Sequence, residues 1–286
     1  MLVEKVTISS LNAEVAKPPA EGDKIVTTQD FIIELFFRID EQLGQVPKHA
    51  QATLYPSEVV TLALLFALKG VGNRAFYRWL QRDFRPLFPR LPERTRLFRL
   101  FKSHRHLTAH FLAAPTVLGV IDSYGIELIH PIREDRTEHQ IGKKGLSNYR
   151  WIVGGKLCLL LNQEGLVVAW DCATANVADN TFQPLIRQYE DEMIVLADQA
   201  FHATLGDPEN LKLCQRGEWN DRMMVETTLS MLTLVNHFKK VMHRVWAYFE
   251  MRLAYTMAMF NVLVQWSGLQ ADEHGVIHLS IAEFSL

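Results

Sequence analysis

At 286 residues, with 48% hydrophobic and 22% charged side chains, the chain can bury one large core or two modest ones, which excludes an intrinsically disordered protein. Its three cysteines, Cys158, Cys172 and Cys214, are odd in number, widely spaced and without a paired-cysteine motif, so they suggest neither a disulfide framework nor a cysteine zinc site and fit a reducing cytoplasm. The formal net charge of −2 conceals an asymmetry: between Lys69 and Arg105 stand eleven Lys or Arg against only Asp83 and Glu93, an excess of nine, which suits a phosphate backbone or a merely solvated basic face.

Residues 1–27 mix small and polar side chains with Pro18 and Pro19, lack an apolar secretory core, and are expected to form a flexible arm. A helical domain is expected over 28–114. Apolar residues at helical spacing from Asp30 to Leu43, preceded by Thr27 or Thr28 as N-cap, predict a first helix. Tyr55-Pro56-Ser57-Glu58 predicts a second, with Ser57 as its cap, interrupted at Gly70 and Gly72. A third, from Asn73 to Phe84, alternates Phe76, Trp79 and Leu80 with Arg74, Arg78 and Arg82. Pro86, Pro89 and Pro92 separate it from a fourth, Thr95 to about Leu112, which carries Arg96 just after Arg94. No spacing singles out a recognition helix, so a helix-turn-helix arrangement stays open. His104, His106 and His110 have no cysteine or carboxylate beside them and read as surface or DNA-facing residues rather than metal ligands.

After Pro115 the pattern turns to β. The run Val117 to Ile121 predicts a buried strand that delivers Asp122, followed by a turn at Tyr124-Gly125 and a second strand, Ile126 to His130. Glu134 to Arg150, with Lys143 and Lys144 at its centre, reads as a mobile loop. Ile152–Leu161 and Leu166–Trp170, joined through Gly165, predict a hairpin. Asn180 to Glu190 reads as helical, Met193 to Asp198 as a strand, and Arg222 to Lys240 as a helix with a polar stripe through Arg222, Glu226, Ser230, Thr233 and His237. Val241 to Trp266 is apolar but contains Arg244, Glu250 and Arg252, so it reads as a packing helix and not a membrane span.

Three acids punctuate this pattern: Asp122 and Asp198 at strand ends, and Glu226 on a helix. Taken singly, each has an ordinary explanation as a strand terminator, a cap, or the i+4 partner of Arg222. Taken together they suit phosphodiester chemistry, in which two divalent ions roughly 4 Å apart activate the attacking oxygen and stabilise the leaving one, and hard oxygen ligands suit Mg²⁺ or Mn²⁺.

The ordered motifs Val-Ile-Asp-Ser at 120–123, Gly-Gly-Lys-Leu at 154–157, Ala-Thr-Ala-Asn-Val-Ala-Asp at 173–179, Leu-Ala-Asp-Gln-Ala-Phe at 196–201 and Arg-Met-Met-Val-Glu-Thr-Thr-Leu-Ser at 222–230 resemble the DDE transposases of bacterial insertion sequences, over residues 28 to 267. Pro-Ser-Glu-Val-Val at 56–60 and Leu-Pro-Glu-Arg-Thr-Arg at 91–96 resemble the helical N-terminal part of such proteins. The resemblance implies an α/β fold: a ribonuclease H-like mixed sheet flanked by helices, at 115–267, preceded by the all-helical N-terminal domain and followed by a tail at 268–286. It implies that Asp122, Asp198 and Glu226 are catalytic residues holding two Mg²⁺ or Mn²⁺ ions, and that the protein cuts and joins DNA at the terminal inverted repeats of its own element.

Further implications are double-stranded DNA as partner, a homodimer when bound to DNA, no membrane role, and a cytoplasmic, nucleoid-associated location. DNA contacts are expected from Lys156, Arg222, Trp219, Arg74, Arg78, Arg94, Arg96, Lys143 and Lys144. The sequence differs from the family pattern in having Trp219 for a Tyr, Thr233 for a Lys and Ala200 for a Gly. The phosphate role of the missing Lys would then pass to a residue such as Lys239 or Lys240. Only 28 positions separate Asp198 from Glu226, too few for the large β insertion of some relatives. Two other activities are compatible with the same residues: a catalytically inactive or repurposed transposase that only binds DNA, and a nuclease that cuts without joining.

Overall fold

The computed structural model describes residues 27–147, 149–215, 222–238, 243–268, 281 and 284. The expected arm, apart from Thr27, lies outside them. The chain divides into two compact units between His110 and Phe111.

The first unit is helical: α1 (Thr28–Leu43), α2 (Pro56–Lys69), α3 (Asn73–Asp83) and α4 (Arg94–Ser103), followed by a 3₁₀ segment at Arg105–Phe111. Thr27 and Asp30 form a reciprocal capping box at α1, each side chain accepting the other's backbone N–H at 3.1 Å. Helix α2 is buried on all sides, and Phe66 gathers Phe76 of α3 and Phe98 of α4 edge-on at 5.2 and 5.0 Å. Two expectations are corrected. Pro56 suits the first helical position, so Tyr55 and not Ser57 is the N-cap of α2, and the Ser57 hydroxyl instead donates to Asp40 Oδ1 at 2.6 Å, tying α2 to α1. The fourth helix ends at Ser103 because Ser103 Oγ and the ring Nδ1 of His104 both engage the Leu100 carbonyl, at 3.0 and 2.9 Å, in competition with helix continuation.

The second unit is α/β. Its six-stranded mixed sheet comprises β1 (Leu118–Ile129), β2 (Lys143–Ser147), β3 (Arg150–Asn162), β4 (Val167–Thr174), β5 (Ile194–Ala197) and β6 (Leu211–Leu213). Antiparallel β3 lies beside β1, and its other edge is shared: β2 pairs with its first residues and β4 with the remainder. On the far side of β1, β5 and β6 run parallel to it and to each other. Ile121, Val195 and Ala197 face a core completed by Phe182 in the 3₁₀ turn Asp179–Phe182, Ile186 of α5 (Gln183–Arg187) and Phe201. Helices α6 (Arg222–Leu234) and α7 (Trp246–Ser267) follow. Asn261 of α7 is wholly buried and bonds the Val167 N–H at 2.9 Å, the Val167 carbonyl at 2.8 Å and the Phe111 carbonyl at 2.9 Å.

Several expected boundaries change. There is no turn at Tyr124-Gly125: β1 is one strand paired through both residues with Leu157 and Lys156 of β3. Gly125 serves close approach, since a Cβ there would overlap Ser147 and Ile152. The expected loop from Glu134 to Arg150 contains β2, because backbone pairing to the β3 edge is available whatever the side-chain polarity. The helix expected at Asn180–Glu190 is the 3₁₀ turn and the short α5. Helix α6 stops at Leu234, and His237 beyond it adopts a left-handed φ of 51°. The expected packing helix is α7, whose centre is buried. No single helix among the described residues is long and apolar enough to cross a membrane.

Candidate functional site

Strand pairing explains how two of the predicted acids meet. Leu118 pairs with Ile194 and Val120 with Leu196. Continued by two residues, that register brings Asp122, within β1, toward Asp198, which stands just past the end of β5. Side chains alternate along a strand, so both acids leave the face opposite the core residues Ile121 and Ala197. Each is held locally: Asp122 Oδ1 accepts the Ser123 N–H at 2.7 Å, and Asp198 Oδ1 accepts the Ala200 N–H at 2.9 Å, capping the 3₁₀ turn Gln199–Phe201. Glu226 is exposed on α6. All three line one cavity of about 500 Å³, together with Ser230 and Thr233 of the same helical stripe.

The cavity also contains a charge pair that sequence reasoning missed. Lys156 of β3 projects toward Asp179, whose Oδ1 accepts the Lys156 ammonium at 2.9 Å and the Ser123 hydroxyl at 2.5 Å. Only 11% of the Lys156 side chain and 20% of Asp179 are exposed. Asp179 ends one of the sequence motifs, which was the available signal, but its partner lies 23 residues away. The acids set the local field: burial pushes the Cys158 thiol well up, and Asp122, Asp179 and Asp171 push it further.

An all-oxygen set of carboxylates fits hard divalent cations such as Mg²⁺ or Mn²⁺. Asp122 and Asp198 would hold such an ion from the sheet, with Glu226 across the cavity. Among the described residues no three His, Cys, Asp or Glu side chains are close enough to enclose a single ion. The three acids therefore line the cavity without closing into one coordination sphere.

The other expected contact residues are dispersed. Lys143 is exposed on β2, while Lys144 is occupied by Glu134 at 2.8 Å. Arg74, Arg78 and Arg96 are exposed and Arg94 half-buried, all in the helical unit. Arg82 is held by Asp83 at 2.6 Å. The ring Nδ1 of His106 engages the Ser103 carbonyl at 3.1 Å, a local contact like that of His104. Thr233 turns its hydroxyl back to the Leu229 carbonyl at 2.7 Å. Arg222 opens α6, and its side chain, like Trp219, Lys239 and Lys240, lies outside the described residues.

Fold and site thus define a mixed α/β protein with a helical N-terminal unit and a carboxylate-lined cavity beside the central strands. Compared with known proteins, the chain matches no family model and no curated sequence.

Proposed function

We propose that this protein is a DDE-type transposase that uses Mg²⁺ or Mn²⁺ to cleave DNA and transfer strands at the terminal inverted repeats of an insertion sequence. One observation carries the reading: Asp122 of β1, Asp198 just after β5 and Glu226 of α6, far apart in the chain, line the same cavity. The strand arrangement supports a ribonuclease H-like core, with β4, β3 and β1 antiparallel in spatial order and β5 and β6 added parallel to β1. The basic helical unit supports DNA binding, and the two parts together match the ordered motifs.

A bound ion pair supplies Lewis acidity to the phosphate and lowers the pKa of the attacking hydroxyl or water. The chain's own residues do the rest. Asp122 and Asp198 are fixed by backbone N–H donors on regular structure, which orients them before substrate arrives. Lys156, neutralised by Asp179, orders the cavity wall beside Ser123 and is not a bare cation for DNA.

The test is cleavage and joining of DNA that carries the element's ends, with Mg²⁺ or Mn²⁺. Asp122→Asn and Glu226→Gln are each expected to lower the rate by at least ~10³-fold, on the order of 4 kcal/mol of barrier, while leaving DNA binding intact. Full strand transfer by either variant sinks the proposal. The back-bonded Thr233 favours a second reading, a protein that binds the ends without cutting, because its hydroxyl is turned toward its own helix. Retained end binding with no cleavage under either metal selects that reading, and cut but unjoined products select a nuclease.

A further inference from the structure

The α/β unit has a second cavity, about 630 Å³, at the C-terminal end of β1, and no carboxylate lines it. Its wall is basic. His130, Arg133, Arg136 and His139 come from the segment between β1 and β2, and His243 and Arg244 from the segment leading into α7. Arg133, Arg136 and Arg244 are exposed, and among the described residues no ion pair or hydrogen bond engages their guanidinium groups. Of the acids in the same segment, Glu134 is held by Lys144 at 2.8 Å, and Asp135 and Glu138 are exposed and do not line the cavity. The three guanidinium groups make the cavity electropositive, and burial, followed by the neighbouring charge of Arg252, holds the half-buried His243 down to about 4.

Three guanidinium groups around one opening repel one another unless an anion lies between them, and their planar forks match the oxygens of a phosphate. The cavity is wide enough to admit a phosphate with the group it esterifies. It shares no lining residue with the carboxylate cavity, whose β1 lining ends at Gly125, three positions or about 10 Å before Leu128 at roughly 3.3 Å per residue. We propose that it is a phosphate-binding site, taking either the backbone phosphates of a nucleic-acid strand or a free phosphate compound. This chemistry stands whether or not the carboxylates cut DNA.

The experiment uses the full chain in EDTA, in two arms: anisotropy of a labelled DNA duplex titrated at several salt concentrations, and thermal stabilisation by pyrophosphate. The variants are Arg133→Gln/Arg136→Gln and Arg133→Lys/Arg136→Lys, with circular dichroism confirming that both fold. The Gln pair is expected to weaken binding at least ~10-fold and to lower the salt slope by about two, while the Lys pair, keeping the charge, retains most of the duplex affinity. Loss in the duplex arm alone identifies a nucleic-acid strand as the source of the phosphate, and loss in the pyrophosphate arm alone identifies a free phosphate compound. Either result supports the site. Gln variants that match the parent protein in both arms overturn it, as does a parent protein that responds in neither. Cleavage is not read in either arm, so a failure of the metal chemistry leaves these outcomes unchanged.

Discussion

Asp179 Oδ1 receives both the Lys156 ammonium and the Ser123 hydroxyl, so a largely buried cation is matched by one carboxylate oxygen. Removing one member leaves the other charge uncompensated. Lys156→Met is expected to lower stability by about 3 kcal/mol, whereas Lys156→Met/Asp179→Leu recovers part of that loss. A double-mutant cycle by urea unfolding checks it, and purely additive effects would dismiss the pairing as energetically inert. His243 makes a separate, pH-dependent contribution. Its folded pKa, about 4, lies below the ordinary 6.5. The unfolded chain therefore takes up the proton first, and stability present above pH 6.5 falls as pH drops toward 4, by up to about 3 kcal/mol. In His243→Gln the decline in melting temperature over that window should be shallower. At this scale the three acids were legible because their residue types and order carry chemistry, but the Lys156–Asp179 pair was not, since neither residue's local pattern names its partner.

Among the elements, β1 shows how neighbours override local signals. Tyr124-Gly125 is turn-prone as a dipeptide, yet ladder bonds to Leu157 and Lys156 on β3 hold the strand straight through it, and Gly125 makes room for Ser147 and Ile152. The same logic turns the polar stretch around Lys143 and Lys144 into β2. Amphipathic helices such as α1 and α3 were read nearly to the residue, because the periodicity of both and the Thr27 cap of α1 are local properties. Helix α7 and the β3–β4 hairpin depend on Asn261, which satisfies three backbone groups with one buried amide. Asn261→Ala leaves these polar groups without that partner and is expected to cost about 3 kcal/mol. Hydrogen exchange should then quicken at the Val167 amide, and an unchanged rate there would remove this role from Asn261.

For the whole molecule, the exposed basic residues and the cavity acids fall in different units of the chain. The helical unit carries Arg74, Arg78 and Arg96 on exposed positions, while the acids belong to the α/β unit. Under the proposed function, Arg74→Gln/Arg78→Gln weakens duplex binding with little dependence on sequence and lowers the salt slope by about two. Anisotropy titrations at several salt concentrations measure it, and an unaltered slope would relieve both arginines of phosphate contact.

The sequence by itself determined the switch from a helical to a β-containing half, the helix periods with the Thr27 cap of α1, and three acids in an order that suits metal-assisted phosphodiester chemistry. These are local properties of composition and spacing. Only the tertiary structure decided that β1 is continuous, that the β1–β5 pairing brings Asp122 and Asp198 to one cavity, that Glu226 shares it, and that Lys156 is committed to Asp179. Such facts depend on hydrogen-bond and packing partners supplied by distant parts of the chain, and no residue's own neighbourhood in sequence records them.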